Sequence, residues 1–166
     1  MLNEVTNMTE HILIAYFSRS GNTRKIATLI QQEVGGTLHE IQVKVPYPDT
    51  YNATTAQAKQ EIRAGYKPAL KSTLECIESY NTIFVGSPNW WSTIAPPVAT
   101  FLTENDVAGK TIVPFCTHGG GGLGRVAQDI AKLCPKSTVL SSFEVYGSGR
   151  ADVQAEVSAW LRRVGL

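Results

Sequence analysis

The sequence predicts one α/β domain, built as an open parallel sheet with helices on both faces. Five short apolar runs alternate with segments whose apolar residues recur at spacings of three and four. The first of these runs, residues 12–17, is continuous, which is typical of a strand covered on both faces. The length of 166 residues suits one compact domain and is short for two.

Each apolar run is predicted to form a strand. The second run has the alternation of an edge strand, and the third is expected to stop at Gly86-Ser87-Pro88. In chain order, the predicted strands cover residues 12–17, 38–45, 82–85, 111–115 and 138–140, the last extending as far as 145.

Helices are predicted between and after these strands. The first carries an apolar stripe and ends at Gly35-Gly36, since glycine commonly ends helices. The helix near Pro96-Pro97 begins with proline, which suits a first turn. Asp152 is a good N-cap for the last helix. The first predicted helix follows a turn at residues 18–22, and the second covers residues 50–64. The third begins near residue 96, the fourth covers about 124–133, and the last begins near residue 152.

The domain is predicted to span residues 11–166, after a polar, flexible leader at residues 1–10. The leader lacks the apolar centre of a signal peptide, so the expected location is cytoplasmic. No apolar stretch reaches the roughly 18 residues that span a bilayer. The net charge is +1 and no Lys/Arg-rich run occurs, which argues against nucleic-acid and membrane-surface partners.

The loop after the first predicted strand, Ser18 to Thr23, joins a buried strand directly to a helix. Three hydroxyls, an amide and a glycine lie where free backbone N–H groups and the helix dipole favour an anion. The loop lacks both the Walker pattern and the three-glycine dinucleotide pattern. It therefore suits a terminal phosphate monoester, although the same residues could simply cap the helix.

The other two loops at this sheet edge are distinctive in composition. Pro88 to Thr93 contains the adjacent pair Trp90-Trp91, whose faces could stack on a flat ligand or cover a helix. The segment Cys116 to Gly124 contains five glycines, which let a backbone approach a ligand closely or simply form a flexible surface loop. Ligands of such sheets bind beyond the carboxyl ends of the strands. Together, the three loops suit a flat heterocycle with one phosphate.

With these motifs, the chain resembles the flavodoxin family over roughly residues 11–166. The resemblance rests on Tyr16-Phe17-Ser18-Arg19-Ser20-Gly21-Asn22-Thr23, on Pro88-Asn89-Trp90-Trp91 and on Phe115-Cys116-Thr117-His118-Gly119-Gly120. It implies strand order 2-1-3-4-5, the short-chain form of the fold, and flavin mononucleotide (FMN) as the cofactor.

The resemblance also implies roles for individual residues. Ser18, Ser20, Asn22 and Thr23 would hold the phosphate, Asn89 to Trp91 would border the isoalloxazine, and Thr117 to Gly120 would line its pyrimidine edge. The predicted FMN-binding residues are Ser18, Arg19, Ser20, Gly21, Asn22, Thr23, Pro88, Asn89, Trp90, Trp91, Thr117, His118, Gly119 and Gly120.

The predicted function is that of a flavin redox protein, whose redox chemistry belongs to the cofactor. It would transfer electrons to a partner protein, or reduce a small acceptor, with an NAD(P)H-dependent quinone-type reductase as the alternative. Carrier flavodoxins are usually strongly acidic, whereas this chain is nearly neutral. Residues 88–93 also lack the glycine that many carriers place beside the flavin.

The three cysteines are widely spaced and form no C-x-x-C pair, so neither a disulfide framework nor a metal site is predicted. A thiol hydrolase that uses Cys116 and His118 is a distant alternative. Against it, near neighbours on a loop rarely face each other, no carboxylate follows to orient the histidine, and the G-x-C-x-G pattern is missing.

Overall fold

The computed structural model describes residues 11–166, so the predicted leader at residues 1–10 lies outside the described residues. The described residues form seven strands, β1 Ile12–Tyr16, β2 Thr37–Glu40, β3 Thr82–Trp90, β4 Thr93–Ile94, β5 Thr111–His118, β6 Thr138–Val139 and β7 Phe143–Tyr146. The α-helices are α1 Asn22–Val34, α2 Tyr51–Ala64, α3 Pro96–Glu104, α4 Val126–Leu133 and α5 Val153–Arg163. One turn of 3₁₀ helix covers Ile77–Ser79.

The sheet confirms the predicted doubly wound architecture. Its order is β2-β1-β3-β5-β6, and these neighbours run parallel. Strands β6 and β7 both pair with β5, so together they form the predicted fifth strand with a break at residues 140–142. The order 2-1-3-4-5 is therefore confirmed, with β4 as an antiparallel addition to β3.

Helices cover both faces of the sheet, and alternate residues of β1 enter the two cores. Leu13 and Ala15 belong to the core that includes residues of α3 and α4. Ile12 and Ile14 belong to the core that includes residues of α1 and α5. Since both faces are buried, the strand needs apolar residues at every position.

The ends predicted for the two central strands were wrong, since both strands run further. β3 continues through Pro88 to Trp90, and β5 continues to His118. β1 ends opposite Gly86, so the later part of β3 has β5 as its parallel neighbour on one side only. Proline has no backbone N–H to donate. It is tolerated at this position because β3 has a parallel neighbour on one side only, as at the edge of a sheet.

The predicted second strand, 38–45, was too long. β2 ends at Glu40, and Val43 instead forms an isolated antiparallel bridge with Leu70.

The predicted N-cap position of the last helix is correct, although the Asp152 side chain makes no capping hydrogen bond. None of the helices within residues 11–166 combines the length and apolar character needed to cross a membrane.

Candidate functional site

A cavity of about 650 Å³ lies where β1, β3 and β5 end. It brings together most of the residues predicted from the three loops, although Ser18, Gly21 and Gly120 are not among its lining residues. The lining consists of Arg19, Ser20, Asn22, Thr23, Tyr51, Thr54, Thr55, Ala58, Pro88, Asn89, Trp90, Trp91, Thr117, His118, Gly119, Tyr146 and Gly147.

One end of the cavity is the start of α1. Gly21 occupies the N-cap position with φ 98°, a left-handed conformation that favours glycine. In the described part of the chain no side chain caps this helix, and its first turn contains no acidic residue. Within residues 11–166, the N–H groups of Asn22 and Thr23 have no hydrogen-bond partner. Free N–H groups at a helix N-terminus suit an anion such as phosphate.

Two residues of the first loop have structural roles as well. The Thr23 and Thr117 hydroxyls lie 2.8 Å apart and are buried, which joins α1 to the end of β5. The Ser18 hydroxyl accepts a hydrogen bond from the Gly21 N–H at 3.1 Å and therefore shapes the turn. Ser20 remains exposed on the cavity wall, where its hydroxyl is free to meet a ligand.

The predicted tryptophan loop is a tight hairpin. Asn89 and Trp90 on β3 pair with Ile94 and Thr93 on β4, which leaves Trp91 and Ser92 as the turn. These two residues have φ values of 55° and 68°. Two-residue hairpins of type I′ require positive φ at both central positions, where Asn-Gly is usual. A Trp-Ser turn is strained, and such strain is typical of binding sites.

Contacts with the glycine-rich segment hold this turn in place. Ser92 O accepts a hydrogen bond from the Arg125 N–H at 2.7 Å, and the Asn89 amide donates to Gly122 O at 2.8 Å. A Cβ added at Gly124 would lie 2.9 Å from Ser92 O. The glycine at 124 is therefore required because the hairpin approaches the backbone closely.

We expect replacement of Ser92 by glycine to stabilise the protein. The residue has φ 68° and is exposed, so Ser92→Gly relieves backbone strain with little loss of contact. The expected gain is about 0.5–1 kcal/mol in the free energy of unfolding, measured by urea titration. Ser92→Val, which adds a β-branched side chain, should lower it. A destabilised Ser92→Gly variant would contradict the strain assignment.

The two tryptophans make different contacts. Trp90 packs edge-to-face on Phe17, with ring centroids 5.4 Å apart, and on Tyr47 at 5.1 Å. The Tyr47 hydroxyl donates to the buried Glu61 carboxylate at 2.7 Å, and burial together with this carboxylate raises the pKa of Tyr47. Trp90 thus presents to the cavity a ring held by a rigid aromatic cluster.

Trp91 is half exposed and joins the hairpin to α2. Its indole N–H donates to Thr55 O at 2.9 Å, and Lys59 Nζ lies 4.9 Å from the centroid of its ring. This contact makes α2 a wall of the cavity. The helix was predicted from the sequence, but its place at the site was not; the four-residue spacing of the buried Thr54 and Ala58 was the available signal.

His118 lies at the end of β5 with both ring nitrogens engaged. Nδ1 accepts a hydrogen bond from the Gly120 N–H at 3.1 Å, and Nε2 contacts the Glu144 carboxylate. Tyr146 packs against the ring with centroids 6.0 Å apart. Glu144 and Tyr146 belong to β7, whose place at the site was not predicted from the sequence. The expectation that no carboxylate orients His118 was therefore wrong.

This geometry argues against the thiol hydrolase. Cys116 is fully buried, and burial together with the Glu144 charge raises the pKa of its thiol to about 12. The nucleophile in such enzymes is an accessible thiolate. Moreover, His118 is bonded to Glu144 and Gly120 rather than to the thiol.

Thiol labelling should therefore distinguish the three cysteines. Cys76 is exposed, whereas Cys116 and Cys134 are buried, the latter with its thiol pKa raised to about 11 by burial. We expect a disulfide reagent at neutral pH to modify one thiol per folded chain and three in urea. Cys76→Ser should abolish the native-state reaction. Rapid labelling of a second thiol in the folded protein would contradict the assigned burial of these two cysteines.

The charge of the cavity is distinctive. Arg19 is a cation in its lining, while no Asp or Glu lines it among residues 11–166. The Arg19 side chain donates to Asp49 O at 3.1 Å, which holds it at the edge of the cavity. In the same part of the chain, no group of His, Cys, Asp and Glu is arranged to hold a metal ion.

Comparison with known families decides the classification. The family model described as flavodoxin matches residues 11–164. The chain belongs to the flavodoxin family. This membership confirms the resemblance drawn from the three motifs, and the match covers all of the strands and helices that form the cavity.

Solved structures of similar proteins agree with this classification. A protein of Bacteroides eggerthii, provisionally named a flavoprotein, is 31% identical with a TM-score of 0.83, covering 93% of this chain and 98% of its own. A similarly named protein of Bacteroides uniformis is 28% identical with a TM-score of 0.82, covering 92% and 98%. A flavoprotein of Lactobacillus acidophilus in complex with FMN is 24% identical with a TM-score of 0.73, covering 91% and 98%. A search of curated proteins found no match.

Proposed function

We propose that this flavodoxin-family chain binds one FMN and acts as a flavin redox protein. The observation that carries the proposal is the division of one cavity into three kinds of wall. An uncapped helix N-terminus lies at one end, tryptophan rings lie beside it, and a glycine-rich backbone follows the end of β5. This donor set fits a flat heterocycle that carries a single phosphate.

The residues would divide the binding as follows. Asn22 and Thr23 offer backbone N–H groups to the phosphate, and Ser20 and Thr23 offer hydroxyls. The Thr23 hydroxyl can donate to the phosphate while it accepts from that of Thr117. Trp90 and Trp91 border the flat ring system. Thr117, His118 and Gly119 would meet its polar edge. Bound FMN supplies the electron transfer, so the chain's task is to hold, orient and electrostatically bias it.

For the electron acceptor, we propose a small quinone-like molecule rather than a basic partner protein. Among residues 11–166 the cavity lining offers Arg19 but no carboxylate, and the chain has a net charge of +1. Electrostatic complementarity governs encounter between redox partners, so a lining without carboxylates does not favour a basic partner. An NAD(P)H-dependent reductase is the corresponding enzymatic activity, and a carrier in the cytoplasm is the second candidate.

The direct test is to titrate the purified chain with FMN and with FAD. We expect one tightly held FMN per chain, with nanomolar binding corresponding to about −12 kcal/mol. Protein that leaves FMN absorbance and fluorescence unchanged would overturn the proposal. Addition of NADH, and separately NADPH, with a soluble quinone then distinguishes the reductase from a carrier, which would show no nicotinamide oxidation by itself.

Stepwise reduction tests the preference for two-electron chemistry. A negative rim would disfavour charge on fully reduced FMN, whereas a lining with Arg19 and glycine N–H groups favours it. We expect reduction under argon to yield little of the half-reduced flavin. A large build-up of its long-wavelength absorbance at the midpoint would favour the carrier instead.

A further inference from the structure

His118 is held in one protonation pattern by two partners. Its side chain is only 11% exposed and lines the cavity. Because Nδ1 accepts the Gly120 N–H, the neutral ring carries its proton on Nε2, where it donates to Glu144. Glu144 thus accepts the Nε2 proton, and the Gly120 N–H occupies the lone pair of Nδ1.

Protonation of His118 would break this arrangement. A proton on Nδ1 would face the Gly120 N–H, and two donors cannot share a hydrogen bond. The peptide has freedom to turn away, since Gly120 has φ 123° and a Cβ added at Gly119 or Gly120 would meet nothing within 4 Å. Gly119 lines the cavity and Gly120 does not, so the peptide between them lies at the edge of the cavity.

We propose that Glu144 is a positioning residue that acts through His118 on the Gly120 amide. With neutral His118 the imidazole holds this N–H; with protonated His118 the N–H donates to an anionic group of the ligand in the cavity. This inference rests on the proposed function insofar as the ligand is FMN. By reciprocity, a ligand that gains negative charge on reduction promotes proton uptake by His118.

The surroundings of the ring identify Glu144 as the controlling charge. From β7, Glu144 contacts Nε2 and the Tyr146 ring packs against the imidazole. On its own strand, the buried Cys116 thiol stays neutral because burial and Glu144 raise its pKa to about 12. Arg19 also lines the cavity, but its side chain is held by Asp49 O.

The first test uses NMR on the full chain without FMN. We expect ¹⁵N shifts of His118 at neutral pH to show a proton on Nε2 and a bare Nδ1. On acidification, the Gly120 amide shift should move in step with the His118 ring signals. A Gly120 amide that ignores the protonation of His118, or a neutral ring that carries its proton on Nδ1, would overturn the inference.

Three variants separate charge from fold. In Glu144→Gln, an amide oxygen still accepts from Nε2–H, so the tautomer should persist while the coupled transition moves to lower pH. In His118→Asn, Oδ1 can take the place of Nδ1, so the Gly120 amide should lose its transition. Glu104→Gln removes the same charge from the exposed end of α3. It should change neither the tautomer of His118 nor the pH of the transition. An unshifted transition in Glu144→Gln would contradict the assigned role.

The second test measures the reduction potential of bound FMN above and below the pH of that transition. We expect a steeper pH dependence in the wild type than in His118→Asn. Equal dependence would refute the link to the ligand. A wild-type chain that fails to bind FMN would overturn the proposed function alone, because the NMR results on the FMN-free chain stand separately.

Discussion

Removing the Ser20 and Thr23 hydroxyls together is expected to weaken FMN binding by at least about 100-fold. Hydrogen bonds to charged groups contribute about 1.5–3 kcal/mol each, and about 1.4 kcal/mol corresponds to a tenfold change. The variant is Ser20→Ala with Thr23→Val, which keeps the volume at residue 23. Isothermal titration with FMN and with riboflavin measures the effect. Riboflavin lacks the phosphate, so its binding should weaken far less.

The control for this experiment follows from the second contact of Thr23. Its hydroxyl lies 2.8 Å from that of Thr117, so its loss could act through the fold. Thr117→Val removes the same contact and keeps the Thr23 hydroxyl. Because Thr117 also lines the cavity, its variant is judged by the preference for FMN over riboflavin and not by affinity alone. If the double variant weakens FMN and riboflavin equally, or if Thr117→Val lowers the preference for FMN as much as the double variant does, the loop shapes the site and does not bind phosphate. Urea titration of each variant checks that the fold persists.

Gly86→Ala is expected to destabilise the protein by about 3 kcal/mol. Gly86 is buried on β3, and an added Cβ would lie 2.2 Å from Cζ and 2.3 Å from Cε2 of Phe115 on β5. Phe115 is itself fully buried, so the ring cannot move without displacing the core. Overpacking of this kind costs about 1–3 kcal/mol and occasionally more. The free energy of unfolding is measured in urea.

Two further variants identify the cause. Gly119→Ala adds the same methyl group where nothing lies within 4 Å, and its stability should stay close to that of the wild type. Phe115→Leu in the Gly86→Ala background removes the ring and should recover part of the loss, which gives a favourable coupling in a double-mutant cycle. If Gly86→Ala changes the free energy of unfolding by less than about 0.5 kcal/mol, the assigned close contact between Gly86 and the Phe115 ring is contradicted.

The fold class was predictable because it depends on periodicity, which is a local property. The apolar run of β1 and the three- and four-residue spacing in α1 are both visible in a short window of sequence. The ends of the strands were not predictable in this way, because they depend on which strands lie beside them in the sheet. β3 continues through Pro88 since β5 remains beside it, a contact between residues 88 and 117.

Some residues of the cavity were likewise predictable from the sequence, and others were not. By itself, the sequence determined the parallel α/β fold and the three strand ends where the motif residues meet, because each motif is continuous in the chain. Only the tertiary structure decided that α2 forms a wall through the Trp91–Thr55 hydrogen bond, and that Glu144 on β7 contacts His118. These contacts join residues far apart in the chain and follow from the packing of whole elements, which leaves no short pattern in the sequence.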